Sequence, residues 1–282
     1  MTCFVPSLVV KSNSMYRTGV MHMEYSETKI RLTRGELNCV RFGSGENAFV
    51  MLAGMSMTGI EGLGAAISGA YACMAEDFTL YALDYLTQMP EDYSTRDMAS
   101  DIAEVFGLFG IRNACVIGAS MGGMIGTYLA IDHPELVSKL VLASSCAYLD
   151  GIGKETMRLW ADYADKGNGQ AIFRDFFERV YTYPDYELLP LIEDSATEPQ
   201  LRRFAILARA CYHHDCREEL GKIQCPVLCI IPSEDKALGM DVQLETAEIL
   251  GCDYTVYEGW GHAVYDEAPD YKQRLTEFFR RS

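Results

Sequence analysis

Ala114-Cys115-Val116-Ile117-Gly118-Ala119-Ser120-Met121-Gly122-Gly123 is the stretch on which the fold turns. Its apolar start has the length and β-branching of a buried strand, and from Met121 to Ile131 the pattern becomes helical. Between the two sits a serine with a glycine two residues to either side. A serine forced into a sharp strand-to-helix turn needs a strained backbone, and side chains at the flanking positions would collide there. Gly118 and Gly122 relieve that crowding and leave the hydroxyl exposed above a sheet. A plain glycine-rich turn with a structural serine is the rival reading. The position between strand and helix separates the two.

Working outward, short apolar runs alternate with helix-length segments. Strands are expected at Ala48–Ala53, Phe78–Leu83, Ala114–Gly118, Leu140–Ala143, Pro226–Ile231 and Tyr254–Tyr257. These runs are near-continuous rather than alternating, as parallel strands covered on both faces require. Glu24–Leu32 and Leu37–Phe42 alternate more and suit an antiparallel edge hairpin. Helices are expected at Ser94–Leu108, Met121–Ile131, Val242–Leu250 and Tyr271–Arg280. Strand and helix in regular succession predict an α/β fold with an open, doubly wound and mostly parallel sheet.

From about Ala147 to Leu220 the alternation stops. This stretch is helix-like, holds no convincing strand, and carries Trp160, Phe173, Phe176, Phe177, Tyr181, Tyr183 and Tyr186. A helical insertion between two strands is the economical reading, covering the strand ends where open α/β sheets bind ligands. Most of these aromatics are expected simply to pack the insertion.

Composition narrows the function. The 282 residues are 49% hydrophobic and 23% charged, an ordinary globular balance, with a net charge of −16. Such a field repels polyphosphate backbones and anionic membrane surfaces, so neither nucleic acid nor membrane is an expected partner. No apolar stretch approaches the length of a bilayer span. Met1–Val10 is apolar but lacks a cationic start, and residues 1–23 read as a poorly ordered leader rather than a signal peptide. Ten cysteines without regular spacing, several inside strand-like runs, suit buried thiols in a reducing cytoplasm.

A serine hydroxyl needs a base. Of five histidines, His22 precedes the fold, His133 ends a helix, and His213 and His214 close the insertion. His262, in Gly259-Trp260-Gly261-His262 after the last strand, can swing toward the edge that presents Ser120. The base in turn needs an acid to fix its tautomer. Asp235 follows the preceding strand and is the choice; neighbouring Glu234 competes, and Asp150 is a remoter candidate. A developing oxyanion needs two backbone donors. Met121, directly after the serine, supplies one amide; Met55 supplies the other, in the loop where Gly54 permits a turn.

Taken together, four pieces resemble the α/β-hydrolase fold superfamily from about residue 24 to the C-terminus. They are IGASMGG around Ser120, AIDHPELVSKLVLASS after it, CPVLCIIPSEDKAL around Asp235, and GWGHAVYDEAPD around His262. Ser, then Asp, then His is the superfamily's order. The resemblance implies a core over 24–146 and 221–282 and a helical cap over 147–220. It also makes Asp84 look like the acidic residue found after the fourth strand. Where relatives often carry His-Gly after the third strand, this chain has Ala53-Gly54.

The implied function is a serine hydrolase for a small, largely apolar acyl substrate, with esters the default and no cofactor or metal required. Amides, thioesters, activated C–C bonds and acyl transfer remain open on the same scaffold, as does a non-catalytic binding protein. Oligomeric state is not legible. Cys211, His213, His214 and Cys216 lie close together, but a closed metal site needs three or four ligands to converge, and a helix end explains them more simply. Gly59, Gly62 and Gly64 lack the dinucleotide fingerprint and read as a flexible loop beside the oxyanion turn.

Overall fold

The computed structural model describes residues 23–184 and 196–280. Eight strands form one sheet in the order β1-β2-β4-β3-β5-β6-β7-β8. They are β1 Tyr25–Leu32, β2 Gly35–Phe42, β3 Asn47–Leu52, β4 Phe78–Leu86, β5 Ala114–Ala119, β6 Val137–Ala143, β7 Val227–Pro232 and β8 Asp253–Tyr257. The alternating β1 and β2 form an antiparallel hairpin, β2 pairs antiparallel with β4, and every later pairing is parallel. The chain leaves β3 for β4 on one side and returns to β5 on the other, both bonded to β3. Open α/β sheets hold ligands at such a reversal, beyond the carboxyl ends of the strands, here those of β3 and β5.

The helices between strands are α1 Gly64–Ala70, α2 Thr95–Phe109 and α3 Met121–Asp132. α2 begins where expected because Ser94 and Asp97 form a reciprocal capping box, each side chain accepting the other's backbone N–H. Gly110 ends it with a φ of 66°, a left-handed turn that glycine adopts without strain. α1 was not expected. Its Gly- and Ala-rich sequence has no apolar period, yet the chain from Gly59 to Gly64 is far from free. Glu27 of β1 accepts the amides of Gly62 at 2.9 Å and Gly64 at 2.8 Å, and helix α1 starts at Gly64. The loop expected to be flexible is pinned by carboxylates.

Asp84 also departs from expectation. It lies within β4, ahead of Tyr85 and Leu86, because the strand runs on to Leu86.

Between β6 and β7 run helices α4 Gly151–Asp165, α5 Gly169–Val180 and α6 Glu198–Tyr212. An isolated antiparallel bridge, Tyr148 to Asp215, closes the base of this insert. Trp160 of α4 is buried against Phe176 of α5 at 5.3 Å and Phe204 of α6 at 5.7 Å, and its indole donates to Asp175 at 2.7 Å. The insert thus has an aromatic core of its own. Phe173 and Phe177 are also buried, whereas Tyr183 is 77% exposed; Tyr186 lies outside the described residues. Residues 1–22, which hold His22 and all of the expected leader but Met23, lie outside them too.

After β7 come α7 Asp241–Leu250, the single turn α8 Val264–Glu267, and α9 Tyr271–Arg280. α9 packs on the sheet centre, where Phe279 meets Phe49 of β3 edge-on at 5.0 Å and Phe78 of β4 lies 5.6 Å from Phe49. The described cysteines are free thiols, among them Cys115 on β5 and Cys229 on β7. Phe49 is fully buried at the meeting of three elements. Phe49→Ala is therefore expected to cost about 3–5 kcal/mol, read as a lowered urea midpoint.

Candidate active site

The turn after β5 is as tight as its sequence demands. Ser120 has a φ of 54° and a ψ of −124°, a conformation that costs an L residue about 1–3 kcal/mol. A Cβ on Gly118 would lie 2.2 Å from the carbonyl oxygen of Gly122, and one on Gly122 would lie 2.1 Å from that of Leu52. Neither neighbour is the movable tip of a side chain; both are backbone. Gly118 and Gly122 are thus fixed by space, and the Gly122 contact sets the turn against the exit of β3. The Ser120 amide donates to Ala143 at 2.9 Å, tying the turn to the end of β6.

Asp235 follows β7 and is buried, and donors reach both of its oxygens. Oδ1 accepts the amides of Ala237 and Leu238, each at 2.9 Å. Oδ2 accepts the Gln243 side-chain amide at 2.7 Å and faces His262 Nδ1 at 2.7 Å. With both oxygens accepting, the ring must donate from Nδ1, which leaves Nε2 as its basic nitrogen. Gln243 also donates to the carbonyl of Gly239 at 2.8 Å. It sits at the start of α7, and no motif had pointed to it.

The loop bearing His262 is held to its neighbours by backbone. Glu234 donates its amide to Trp260 at 2.9 Å, and Gly259 donates to Ser233 Oγ at 2.8 Å. Ser144, directly after β6 and with a φ of 48°, donates its hydroxyl to the His262 carbonyl at 2.7 Å. One tier of strand ends therefore carries Ser120, Ser144, Asp235 and His262. The Ser120 hydroxyl makes no hydrogen bond to another described residue in this conformation.

The insert grips the same loop. Ala263 donates to the Val180 carbonyl at 2.7 Å, and Gly261 donates to Thr182 Oγ1 at 2.7 Å. Thr182 in turn donates its amide and hydroxyl to Glu267 at 3.0 Å and 2.7 Å.

In the loop after β3, Met55 and Met57 are buried. Met121 is the first residue of α3, so its N–H has no intrahelical acceptor.

The competing candidates fall elsewhere. Asp150 caps α4, its carboxylate accepting the Gly151 amide at 2.7 Å, and Glu234 is exposed. His133 stands near Glu135, and His213 is exposed at the end of α6. His214 is buried between Thr95 Oγ1 at 3.0 Å and Cys216 Sγ at 3.6 Å, with Tyr128 edge-on. Among the described residues no three His, Cys, Asp or Glu side chains are grouped so as to hold a metal.

Burial holds the His214 imidazole at about 4, well below its usual range. An unfolded chain binds the proton near pH 6.5 while the folded one refuses it, so stability falls as pH drops from 6.5 toward 4. The loss reaches about 3 kcal/mol. His214→Gln is expected to flatten that slope, compared as urea midpoints at pH 7.5 and 4.5.

A family profile described as alpha/beta hydrolase fold matches residues 64–269. "Putative carbamate hydrolase RutD" of Serratia proteamaculans (strain 568) is 26% identical over 193 residues, covering 63% of this chain and 71% of that protein. Proteins of the same name from Escherichia coli and Yersinia enterocolitica are spanned over 55% to 60% of their length. Among solved structures, MGS-M2, an alpha/beta hydrolase enzyme from a Medee basin deep-sea metagenome library, superposes with a TM-score of 0.80 at 20% identity. That match covers 90% of this chain and 98% of the other. An esterase from Exiguobacterium antarcticum superposes with a TM-score of 0.75 at 23% identity, covering 91% and 100%. At these identities the structural likeness is one of fold.

Proposed function

The chain belongs to the α/β-hydrolase fold family, and from that premise we propose that it is a serine hydrolase working through Ser120, His262 and Asp235. The observation that carries this reading is the Asp235–His262 contact of 2.7 Å, on the tier of strand ends that also presents a strained serine. A buried carboxylate fixed by four donors and holding one imidazole tautomer is costly to build for binding alone.

In the proposed cycle His262 Nε2 takes the Ser120 proton as Oγ attacks the substrate carbonyl. Negative charge gathers on the former carbonyl oxygen, and the amides of Met121 and Met55 receive it. Collapse expels the leaving group, which takes the proton back from His262. Water then repeats the sequence on the acyl-enzyme, with the same ring as base and acid. Asp235 orients the imidazole and stabilises its charged form throughout.

The methionines at 55, 57 and 121 and the aromatic insert favour a small, largely apolar acyl group, with the insert acting as a cap over 147–220. Esters are the default. Carbamates join them, because proteins named for carbamate hydrolysis are among the relatives. Free, mostly buried thiols suit a reducing compartment, and placement in the cytoplasm is proposed on that ground.

Wild-type protein is expected to release p-nitrophenol from short-chain esters and to take up a fluorophosphonate at one site. Ser120→Ala should abolish both, and labelling at wild-type level would overturn the assignment. Asp235→Asn should lower kcat by about 10⁴.

A further inference from the structure

The loop after β3 has no ladder of its own, and several of its polar groups are bonded by residues outside it. One of those contacts crosses from the helical insert. Arg203 of α6 donates from Nε to the carbonyl of Ser56 at 3.2 Å and from Nη2 to Asp84 Oδ1 at 2.6 Å. The other Asp84 oxygen accepts the amide of Ile60 at 3.2 Å, and Ser56 Oγ accepts that of Gly59 at 2.8 Å. The Asp84 side chain is 2% exposed and that of Arg203 is 14% exposed. A buried ion pair of this kind gains little net stability over apolar packing, so its presence calls for another reason.

The loop is shaped around the pair. Gly59 has a φ of 71°, and a Cβ there would lie 2.0 Å from Asp84 Oδ2 and 3.4 Å from Arg203 Nη2. Ser56 is the residue after Met55, whose amide the proposed mechanism uses. A guanidinium is suited to this position, because its rigid fork serves a carboxylate and a carbonyl at once and keeps its charge.

We propose that Arg203 is a positioning residue for the oxyanion loop: anchored by Asp84, it holds Ser56 so that the Met55 amide meets the charge developing on the substrate. Because Arg203 belongs to the insert, this donor is set only when α6 is seated on the sheet. The cover and half of the oxyanion site are thus completed by one contact. This inference rests on the serine-hydrolase reading above.

A misplaced oxyanion donor weakens the transition state while leaving ground-state binding alone. Arg203→Gln is expected to lower kcat by roughly 10- to 100-fold, the scale of an ångström-level misplacement. KM should stay within about twofold, since the substrate's ground state is bound as before. Affinity for an arylboronic acid, whose tetrahedral adduct uses the same amides, should fall by the same factor as kcat/KM. The pH profile of kcat should keep its shape. Arg203→Lys, which retains the charge beside Asp84, should recover part of the loss, and it carries the test where Arg203→Gln fails to fold. Rates are normalised to sites titrated with fluorophosphonate.

A variant that melts earlier but keeps wild-type kcat and boronate affinity per titrated site would overturn the inference and leave the hydrolase reading standing. Wild-type protein that neither turns over esters nor labels would overturn the hydrolase reading itself, and the inference with it.

Discussion

A left-handed turn at a non-glycine residue sets the terms for everything around it. Ser120 holds its unfavourable backbone only because Gly118 and Gly122 leave room for the carbonyls of Gly122 and Leu52. The strain is local, and the sheet's register maintains it: β5 lies between β3 and β6, and the Ser120 amide is bound to Ala143 at the end of β6. The same register carries the ends of β6, β7 and β8 to one edge. Asp235 and His262 then need only short loops to meet. A hydroxyl lifted clear of the sheet and an imidazole oriented by a buried carboxylate are two products of one parallel arrangement.

The sheet was legible because its strands are buried on both faces and so read as unbroken apolar runs. Glycine and serine at fixed offsets located the turn, and Asp235 and His262 could be placed just past the apolar runs of β7 and β8. Local chemistry of that kind survives in a linear sequence. Other features did not. Gln243, eight residues beyond Asp235, is an ordinary polar residue until the fold turns its amide onto the carboxylate. Arg203 and Asp84 are 119 positions apart, and nothing in either neighbourhood announces the other. The helix at Gly64–Ala70 was missed because small residues carry no amphipathic period. Resemblance placed Asp84 beyond its strand, and the expected run Phe78–Leu83 stops short of where β4 ends, at Leu86.

The aromatic insert illustrates how a sequence signal can be right about structure and silent about use. Trp160, Phe176 and Phe204 pack with one another, which gives the insert its own interior. Its contacts with the sheet domain near the site come instead from polar residues within it, one just after α5 and one inside α6. Thr182 meets the histidine loop, and Arg203 meets the loop after β3. Apolar burial builds the insert, and directional hydrogen bonds place it.

Those two joints bear on how the segment between β6 and β7 can be exchanged. A chimaera that takes this stretch from another protein replaces Thr182 and Arg203 but leaves Glu267, Gly261, Asp84 and Ser56 behind in the host. Each orphaned partner is then a polar group or charge with no counterpart at the graft boundary. The module's transferable unit is larger than its helices, and includes the residues of the sheet domain that were shaped to receive it.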